Sequence, residues 1–318
     1  MAVIMRCFVT GGAGFIGSHL VSRMIPKHGV TVYDNLSSGR RELIKGHLKS
    51  KNFRFIRGEL LNASNVLKDI KGHDVVFHLA ANPDIRGGLV KTDLDLKLGT
   101  VATYNVLEAM RRNDVPKIIF ASSSVVYGEP KVFPTPEDYG PLMPISLYGA
   151  SKLACEGLIS AFSHVYGIRA WVFRLANIVG PNSTHGLMFD LVEKLNRDRD
   201  SLEVLGDGLQ RKSYLYVDDC IDGMLLALER SNEPVNVFNL GSRDQIEVRR
   251  IADILLETMD LPKTKIEYTG GRQGWRGDVP VMMMETKKML SLGWKPGHDS
   301  EEAVRLTCRS LRPMLKGG

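Results

Sequence analysis

A tyrosine and a lysine four residues apart, Tyr148 and Lys152, are the first candidates for chemistry in this sequence. Residues 147–166 have a helical pattern, and side chains at positions i and i+4 share one face of a helix. A free phenol titrates at about 10. A nearby ammonium group favours the phenolate. The pair therefore predicts a base that takes a proton from a substrate hydroxyl.

Three consecutive serines follow a predicted buried strand at residues 117–122. They are Ser122, Ser123 and Ser124, and the Tyr148 helix comes next along the chain. A serine at this strand end can hydrogen-bond the same substrate oxygen that the phenol deprotonates. The alternative interpretation is a polar strand end whose hydroxyl groups satisfy their own backbone.

A glycine-rich turn near the N-terminus predicts the partner of this chemistry. A short apolar strand ends at Val9, glycines follow, and an amphipathic helix begins at Phe15. One glycine allows the tight turn, another admits a pyrophosphate, and a third lets helix and strand pack closely. The diphosphate then lies at the positive end of the helix dipole. The glycines fit two dinucleotide-binding spacings, with Gly14 and Gly17 preceded by either Gly11 or Gly12.

An acidic residue ends the second predicted strand, residues 30–33, and indicates which dinucleotide binds. Asp34 lies twenty residues after Gly14. A carboxylate in this position hydrogen-bonds the adenosine ribose diol and disfavours a 2′-phosphate. Arg40 and Arg41 are close by and argue for NADP. Because Asp34 stands at the strand tip itself, the sequence favours NAD over NADP.

The elements that position these residues alternate between strand and helix patterns. We predict an α/β fold, a doubly wound, mostly parallel (Rossmann) sheet with a smaller interleaved C-terminal substrate domain. The NAD-binding Rossmann domain is expected at residues 1–175, with a returning strand near 235–241. The substrate-binding domain is expected at residues 176–318, over the carboxyl ends of the strands, where ligands bind in such sheets. The strand patterns are residues 6–10, 30–33, 53–57, 74–79, 117–122, 170–174, 202–205 (isolated) and 235–240, and the helix patterns are 15–24, 100–113, 147–166 and 187–196.

The composition excludes several classes of function. The 318 residues are 43% hydrophobic and 25% charged, as in ordinary globular proteins. No apolar run approaches the ~18 residues of a membrane span, and the four scattered cysteines suggest neither a metal site nor disulfides. The net charge of +6 is dispersed, which argues against nucleic-acid binding. We therefore expect a cytoplasmic protein with no membrane partner, whose positive field attracts a phosphorylated substrate.

Taken together, the motifs resemble those of a known family. The sequence is similar, from about residue 5 to about residue 300, to extended short-chain dehydrogenases/reductases that act on nucleotide sugars, most of all to UDP-glucose 4-epimerases. The motifs stand in family order: Gly11–Gly17, Asp34–Gly39, His78–Ala81, Ser122–Ser124, Tyr148-x-x-x-Lys152, Gly206–Gly208 and Tyr216–Asp219.

The resemblance implies a set of site residues. Tyr148, Lys152 and Ser123 would be catalytic. The cofactor, NAD, would be bound by Gly11, Gly14, Phe15, Ile16, Gly17, Asp34, Asn35, Ser38, Gly39, Glu59, Leu60, Ala80, Tyr148 and Lys152. The substrate, a UDP-linked sugar, would be bound by Ser123, Tyr148, Asn177, Lys212, Arg276 and Asp278, with Arg272 competing with Arg276 for the diphosphate.

Four departures from the family pattern accompany this resemblance. Glu59 replaces an aspartate that contacts adenine, Lys212 replaces an arginine, Gly99 replaces an asparagine, and Gly88 replaces a serine that often follows strand four. Lys212 and Gly99 predict a looser grip on cofactor or phosphate, and Gly88 affects the predicted substrate contacts.

The reaction is inferred from a missing residue. Related dehydratases and decarboxylases carry an acidic residue just after the catalytic serine, whereas Ser124, Val125 and Val126 follow here. A ketone at sugar carbon 4 then has little help toward elimination. The resemblance thus implies 4-epimerisation through a transient 4-keto sugar, in a homodimer formed by helices 100–113 and 147–166. A sugar-nucleotide reductase or dehydrogenase, and a non-catalytic NAD-binding regulator, are the alternatives.

Overall fold

Strands and helices alternate along the chain in the computed structural model, which describes residues 4–84 and 87–315. The strands in chain order are β1 (Arg6–Thr10), β2 (Gly29–Asp34), β3 (Phe53–Arg57), β4 (Val75–His78), β5 (Lys117–Ser123), β6 (Arg169–Leu175), β7 (Asn177–Val179), β8 (Ser201–Val204), β9 (Arg211–Lys212), β10 (Tyr214–Tyr216), β11 (Val235–Leu240), β12 (Ile246–Glu247), β13 (Lys265–Tyr268) and β14 (Val281–Met282). The α-helices are α1 (Phe15–Met24), α2 (Ala63–Asp69), α3 (Ala102–Arg112), α4 (Leu147–Tyr166), α5 (Leu187–Leu195), α6 (Val217–Arg230), α7 (Val248–Met259), α8 (Lys287–Ser291) and α9 (Ser300–Leu311).

Seven strands form the central sheet, in the order β11-β6-β5-β4-β1-β2-β3. Strand β1 pairs in parallel with both β2 and β4, and β2–β3 and β4–β5 are parallel as well. The strand order reverses direction between β1 and β4, which is the switch point of a doubly wound sheet. The predicted Rossmann fold is therefore confirmed.

The strands of this sheet are apolar along their length because both faces are covered. In β1, Cys7, Phe8 and Val9 are fully buried. Helices α3 and α4 contribute Val106 and Ile159 to the same buried cluster as Phe8. A sheet buried on both sides leaves the strand ends as the places where polar chemistry is possible.

The chain forms two compact units and passes between them several times. The first comprises the chain up to Val126, with Leu147–Arg174 and Met224–Phe238. The second comprises Tyr127–Ser146, Leu175–Gly223 and the chain from Asn239 onward. The second unit has its own apolar core, built from α5, α7, α9 and β8.

The second unit is more regular than the sequence suggested. The expectation that residues 202–205 form an isolated strand was wrong, because β8 pairs in parallel with β13, 61 or more residues later. Two further small sheets, β10-β7 and β12-β9-β14, hold the loops together. The C-terminal part also contains two helices of 12 residues each, α7 and α9, where the sequence analysis assigned no helix. In the part of the chain that the structure describes, no helix has the length and apolar character needed to cross a membrane.

Candidate active site

The glycine-rich turn joins β1 to α1 with very little space around it. Gly11 has a φ of +69°, and a Cβ there would lie 2.8 Å from the Ala80 backbone nitrogen. A Cβ on Gly17 would collide with the Gly11 carbonyl oxygen. Both positions therefore require glycine, the first for its backbone conformation and the second for close helix–turn packing. Gly14 is the N-cap of α1 and brings no side chain to cap it, so the first-turn N–H groups of Phe15 and Ile16 can meet an anion.

Asp34 ties the glycine turn to the loop after β2. Its Oδ2 accepts a hydrogen bond from the Ala13 N–H at 3.0 Å, and Oδ1 accepts one from the Leu36 N–H at 2.8 Å. A Cβ on Gly39 would lie 2.8 Å from Oδ1, so a glycine there keeps the loop close to the carboxylate. Burial raises the pKa of Asp34, while the two N–H donors act against that rise. Ser38, the residue before Gly39, is exposed.

The remaining residues that we predict to bind the cofactor follow the ends of β3 and β4. Asn35 Nδ2 donates to Glu59 Oε2 at 2.8 Å, so the longer acid at this position contacts the loop after β2. The Asn105 side chain of α3 donates to the Leu60 carbonyl at 2.9 Å and fixes the backbone there. Ala80, two residues after β4, is half-buried against Gly11.

These features fit a dinucleotide. A turn with no room for side chains leaves backbone N–H groups at the start of α1 for a diphosphate, and a carboxylate at the tip of β2 suits a ribose diol. All of the residues belong to the first unit. The structure therefore brings together the cofactor residues that the sequence predicted, although their contacts with NAD stay a prediction.

Helix α4 carries the Tyr–Lys pair on one face, as its spacing predicts. Lys152 is only 4% exposed, and its Nζ donates to the Ala121 carbonyl at 2.6 Å. The same Nζ lies 5.6 Å from the centre of the Tyr148 ring and 4.7 Å from that of Phe120. The half-buried Tyr148 hydroxyl forms no hydrogen bond with any residue that the structure describes. The phenol is thus free to meet a substrate, while the lysine is fixed to the end of β5.

The electrostatics of this pair differ from the sequence-based expectation. Burial, followed by the negative charge of Asp95, raises the pKa of Tyr148. Burial also lowers the pKa of Lys152 to about 8. The protein without ligands therefore holds a neutral phenol, because burial disfavours the charged phenolate. The positive charge of an oxidised nicotinamide is needed to favour the phenolate.

The structure separates the roles of the three serines. Ser122 Oγ donates to Glu156 Oε1 at 2.5 Å and is buried, so it serves the interior. Ser123 is half-buried, and its Oγ accepts a weak hydrogen bond from the Val125 N–H at 3.4 Å. That contact leaves the Ser123 hydroxyl proton available to a substrate oxygen. The geometry favours Ser123 among the three.

A buried ion pair that the sequence analysis did not predict supports β5, the strand that carries these serines. Arg174 at the end of β6 donates from Nη2 to Glu156 Oε2 at 2.8 Å and from Nε to both carboxylate oxygens at 3.2 Å. The side chains are 7% and 9% exposed. Together with Ser122 the pair joins β5, α4 and β6. The sequence signal for it is a charged residue at an inward-facing position of β6 and another on α4.

The departure at Gly99 also has a structural reason. The segment before α3, Leu96–Val101, forms a π-helical turn, so the predicted helix at 100–113 is preceded by a wider turn. A Cβ on Gly99 would collide with Ser151 Oγ. That hydroxyl donates to the Asp95 carbonyl at 2.7 Å and lies 3.0 Å from the Thr100 hydroxyl. The serine of α4 therefore occupies the space of a side chain at position 99.

The predicted substrate residues lie in the second unit. Asp278 is 6% exposed; it bonds the Lys212 ammonium and accepts from the Gly274 N–H at 3.2 Å. The sequence predicts Lys212 and Asp278 as two substrate-binding residues, and the structure pairs them with each other. Asn177 begins β7, is exposed, and donates to the Ser213 carbonyl at 3.3 Å.

The two competing arginines differ in their partners. Arg272 Nη2 lies 3.5 Å from Glu129 Oε1. Arg276 is exposed and forms no hydrogen bond or ion pair with the residues that the structure describes. An uncommitted guanidinium on a glycine-rich loop suits a diphosphate better than one already paired. The structure therefore favours Arg276 over Arg272 as the residue that contacts the diphosphate.

The fold and these residues define a dinucleotide-binding α/β protein with a Tyr–Lys pair, and comparisons with known proteins identify its family. A sequence model of the NAD dependent epimerase/dehydratase family matches residues 7–241. The UDP-glucose 4-epimerase of Mycolicibacterium smegmatis is 31% identical over 320 residues, which cover 97% of this chain and 99% of that protein. The crystal structure of a UDP-galactose 4-epimerase is 40% identical, with a TM-score of 0.88 over 98% of this chain and 100% of that one. The UDP-glucose 4-epimerase of Thermotoga maritima, solved with UDP-glucose, is 34% identical, with a TM-score of 0.87 over 98% and 100%.

The chain therefore belongs to the NAD-dependent epimerase/dehydratase family. The predicted family resemblance and the predicted cofactor, NAD, are confirmed by this match and these relatives. The prediction of an isomerase of the epimerase type is confirmed in the same way. The individual site residues stay predictions.

Proposed function

We propose that this protein is an NAD-dependent 4-epimerase of a UDP-linked hexose, interconverting UDP-glucose and UDP-galactose. The observation that carries the proposal is the Tyr148–Lys152 face of α4 beside the strand end at Ser123, within the unit that contains the glycine turn. Similarity to UDP-sugar 4-epimerases along almost the whole chain supports the same reaction.

Tyr148 acts as the base in the proposed reaction. Its phenolate takes the proton of the sugar's 4-hydroxyl while the hydrogen on carbon 4 departs as hydride, so carbon 4 becomes a ketone. NAD, when bound, supplies the acceptor for this hydride and its source on return. Ser123 donates a hydrogen bond to the reacting oxygen. Lys152 holds the end of β5 through the Ala121 carbonyl and contributes positive charge beside the phenol.

The second half-reaction inverts the configuration. The ketosugar turns its other face before the hydride returns, and Tyr148 gives the proton back to the oxygen at carbon 4. No atom or electron is gained or lost overall. Val125 and Val126 offer no carboxylate after Ser123 that could move a proton to an adjacent carbon, which favours this course over elimination.

We assign the nucleotide part of the substrate to the second unit. The Arg276 guanidinium suits the diphosphate because its planar fork can bond two phosphate oxygens at once. The Asp278 carboxylate suits the nucleoside ribose diol, and Lys212 and Asn177 supply further donors near the diphosphate. The bond between Lys212 and Asp278 keeps both side chains in place before the substrate arrives.

Product analysis tests this proposal directly. The NAD-loaded protein is incubated with UDP-glucose and, separately, with UDP-galactose, and the sugar nucleotides are separated chromatographically. We expect both reactions to reach the same mixture, without a steady rise of the reduced-nicotinamide absorbance. Stoichiometric accumulation of reduced cofactor would instead identify a dehydrogenase. Binding of NAD without any conversion of a panel of UDP-, dTDP- and GDP-sugars would identify a regulator.

The Tyr148→Phe variant tests the assignment of the base. We expect turnover to fall by a factor of about 100 or more, the lower end of what a positioned base contributes. NAD binding should persist, because the glycine turn is unchanged. Near-normal turnover in this variant would remove Tyr148 from the mechanism.

We further propose that the protein is a cytoplasmic homodimer. Tyr104, Val165 and Tyr166 of α3 and α4 are 47%, 69% and 52% exposed, a large apolar surface for two neighbouring helices. All four cysteines are buried and free of disulfides, as is common in reducing compartments. Light scattering of the purified protein, compared with a Val165→Glu variant, tests the dimer. A monomeric mass for the unchanged protein at micromolar concentration would refute it.

A further inference from the structure

Three buried serines of the second unit, Ser213, Ser242 and Ser300, form a hydroxyl network. The Ser213 and Ser242 hydroxyl oxygens lie 2.8 Å apart, and those of Ser242 and Ser300 lie 2.7 Å apart. Each serine is 2% exposed or less. The Ser300 hydroxyl in turn donates to Asp244 Oδ1 at 2.9 Å. The network therefore joins residues that are 29 and 58 positions apart along the sequence.

The carboxylate at one end gives the hydroxyl network a direction. An ionised carboxylate only accepts hydrogen bonds, so the Ser300 proton points at Asp244. Ser300 Oγ then accepts the proton of Ser242, and Ser242 Oγ accepts that of Ser213. Both Asp244 oxygens also accept the Ser300 N–H at 3.1 Å, at the start of α9, where a negative charge is favourable. Hydrogen bonds that point the same way in a buried region strengthen one another.

The other end of the network lies beside two residues that we assign to the nucleotide part of the substrate. Ser213 directly follows Lys212. The Ser213 carbonyl accepts the backbone N–H of Asn177 and its side-chain Nδ2, both at 3.3 Å. An amide nitrogen carries two protons, so Nδ2 can bond a phosphate oxygen with one of them while the other bonds Ser213. The position of Ser213 therefore decides where the Asn177 amide points.

The surrounding backbone leaves Ser213 little freedom. Its Oγ accepts the Ser242 N–H at 2.9 Å, and a Cβ on Gly241 would lie only 3.0 Å from that oxygen. The N–H of the next residue, Tyr214, donates to Ser300 Oγ at 3.0 Å. Tyr214 begins β10, which pairs in parallel with β7. The hydroxyl network thus connects the first turn of α9 to the start of both strands.

We propose that the hydroxyl network, oriented by Asp244, positions the Asn177 amide for the diphosphate of the substrate, so that its loss weakens nucleotide binding beyond any effect on folding. The three serines are positioning residues, because they are buried and act through Asn177. The inference rests on the proposed function, which assigns the nucleotide to the second unit. A fully bonded polar network suits this role because it fixes one arrangement of the backbone around it.

Calorimetric titration with UDP tests the proposal, because UDP binding requires no turnover. Ser242→Ala removes the middle hydroxyl group of the network. We expect this variant of the NAD-loaded protein to bind UDP about fivefold more weakly or worse, the equivalent of one hydrogen bond. Thr307→Val is the matched control, since Thr307 is 1% exposed on α9 and its hydroxyl donates to the Ala303 carbonyl of the same helix. It loses a buried hydroxyl outside the network and should bind UDP as the unchanged protein does.

A double-mutant cycle with Asn177 separates positioning from a merely structural effect. Asn177→Ala removes the amide and should weaken UDP binding by about tenfold, as expected for a hydrogen bond to a charged group. If the network acts through this amide, Ser242→Ala has no further effect in the Asn177→Ala background. Independent effects would multiply to about fiftyfold, and that result would overturn the proposal. Equal UDP affinities of Ser242→Ala and Thr307→Val would overturn it as well.

Asp244→Asn keeps the test decisive if Ser242→Ala folds poorly. An amide can donate as well as accept, so the network loses its fixed direction while its shape is kept. We expect UDP binding to weaken by about fivefold or more. The control is Asp299→Asn, which removes the same charge from the N-cap of α9, where asparagine caps as well as aspartate. Unchanged UDP binding in Asp244→Asn, or equal losses in both variants, would refute the inference.

Turnover is measured separately to distinguish this inference from the proposed function. A protein that shows the expected UDP affinities but does not interconvert UDP-glucose and UDP-galactose would refute the proposed reaction alone. A protein that epimerises normally while Ser242→Ala and Asp244→Asn bind UDP as tightly as the unchanged protein would refute the inference alone.

Discussion

The buried Glu156–Arg174 pair offers a quantitative test of how strongly β5, the strand that carries Ser123, is stabilised. Glu156→Leu removes the carboxylate that receives Arg174 and Ser122, and leaves a guanidinium that is 7% exposed. Loss of one partner from a buried ion pair costs about 3–5 kcal/mol, because the remaining charge stays out of water. For a chain of 318 residues this corresponds to a Tm about 5–8 °C lower.

A double variant distinguishes desolvation from the loss of packing. Glu156→Leu combined with Arg174→Met replaces the pair by apolar side chains of similar length. Such replacements are often neutral or even stabilising by about 1–4 kcal/mol. We therefore expect the double variant to be more stable than the Glu156→Leu single variant by at least about 3 kcal/mol, with a measurable coupling between the two positions.

The assay is denaturant unfolding followed by far-ultraviolet circular dichroism, with thermal scans in parallel. The exposed pair Glu108–Arg111 is the control, since its side chains are 31% and 38% exposed. Glu108→Leu should change the free energy of unfolding by less than about 1 kcal/mol. The reasoning is refuted if the double variant is as unstable as the Glu156→Leu single variant, because packing or misfolding would then explain the whole loss.

Three further substitutions test the turn, the loop and the buried lysine. Gly17→Ala should abolish measurable NAD binding in titrations because its methyl group collides with the turn. The control is Gly157→Ala, which lies in open space on α4; this variant should bind NAD normally and be up to about 1 kcal/mol more stable. Arg276→Ala should weaken UDP binding in calorimetry by about tenfold or more, and Arg272→Ala by less than about twofold; the reverse order would assign the diphosphate to Arg272. Because burial lowers the pKa of Lys152 from 10.5 to about 8, the unfolded chain binds more protons between these values. Lys152 should therefore contribute a rise of up to ~3 kcal/mol to the free energy of unfolding of the NAD-free protein between about pH 8 and about pH 10.5. The buried thiols, whose pKa values burial raises, act in the opposite direction in this range, so the contribution is measured as the difference between the pH profiles of the unchanged protein and Lys152→Met; identical profiles would contradict the assignment.

The elements of the first unit could be predicted closely because their signals are local. The predicted strands at residues 6–10 and 53–57 have the bounds of β1 and β3, and the predicted helix at 147–166 has the bounds of α4. Each rests on a run of apolar residues or on a helical period that ends at a glycine or a polar residue. The second unit was harder, because its strands β9, β12 and β14 have only two residues each and pair across large sequence separations.

The charged groups also divide into those that the sequence predicts and those that only the fold defines. The Tyr148–Lys152 pair and Asp34 were found from spacing alone, because a helical turn and a strand tip fix where such residues point. The sign of the pKa shift of Tyr148 was missed, since it depends on burial and on Asp95, which is 53 residues away. Sequence spacing carries no information about desolvation.

The sequence by itself determined the dinucleotide turn, the acid at the tip of β2 and the helical face that carries the base. These features depend on backbone conformation and on the period of a single element, which neighbouring residues decide. Only the tertiary structure decided which serine stays available and that Lys212 bonds Asp278. Those outcomes depend on which distant side chains share a buried volume, and packing alone brings them together.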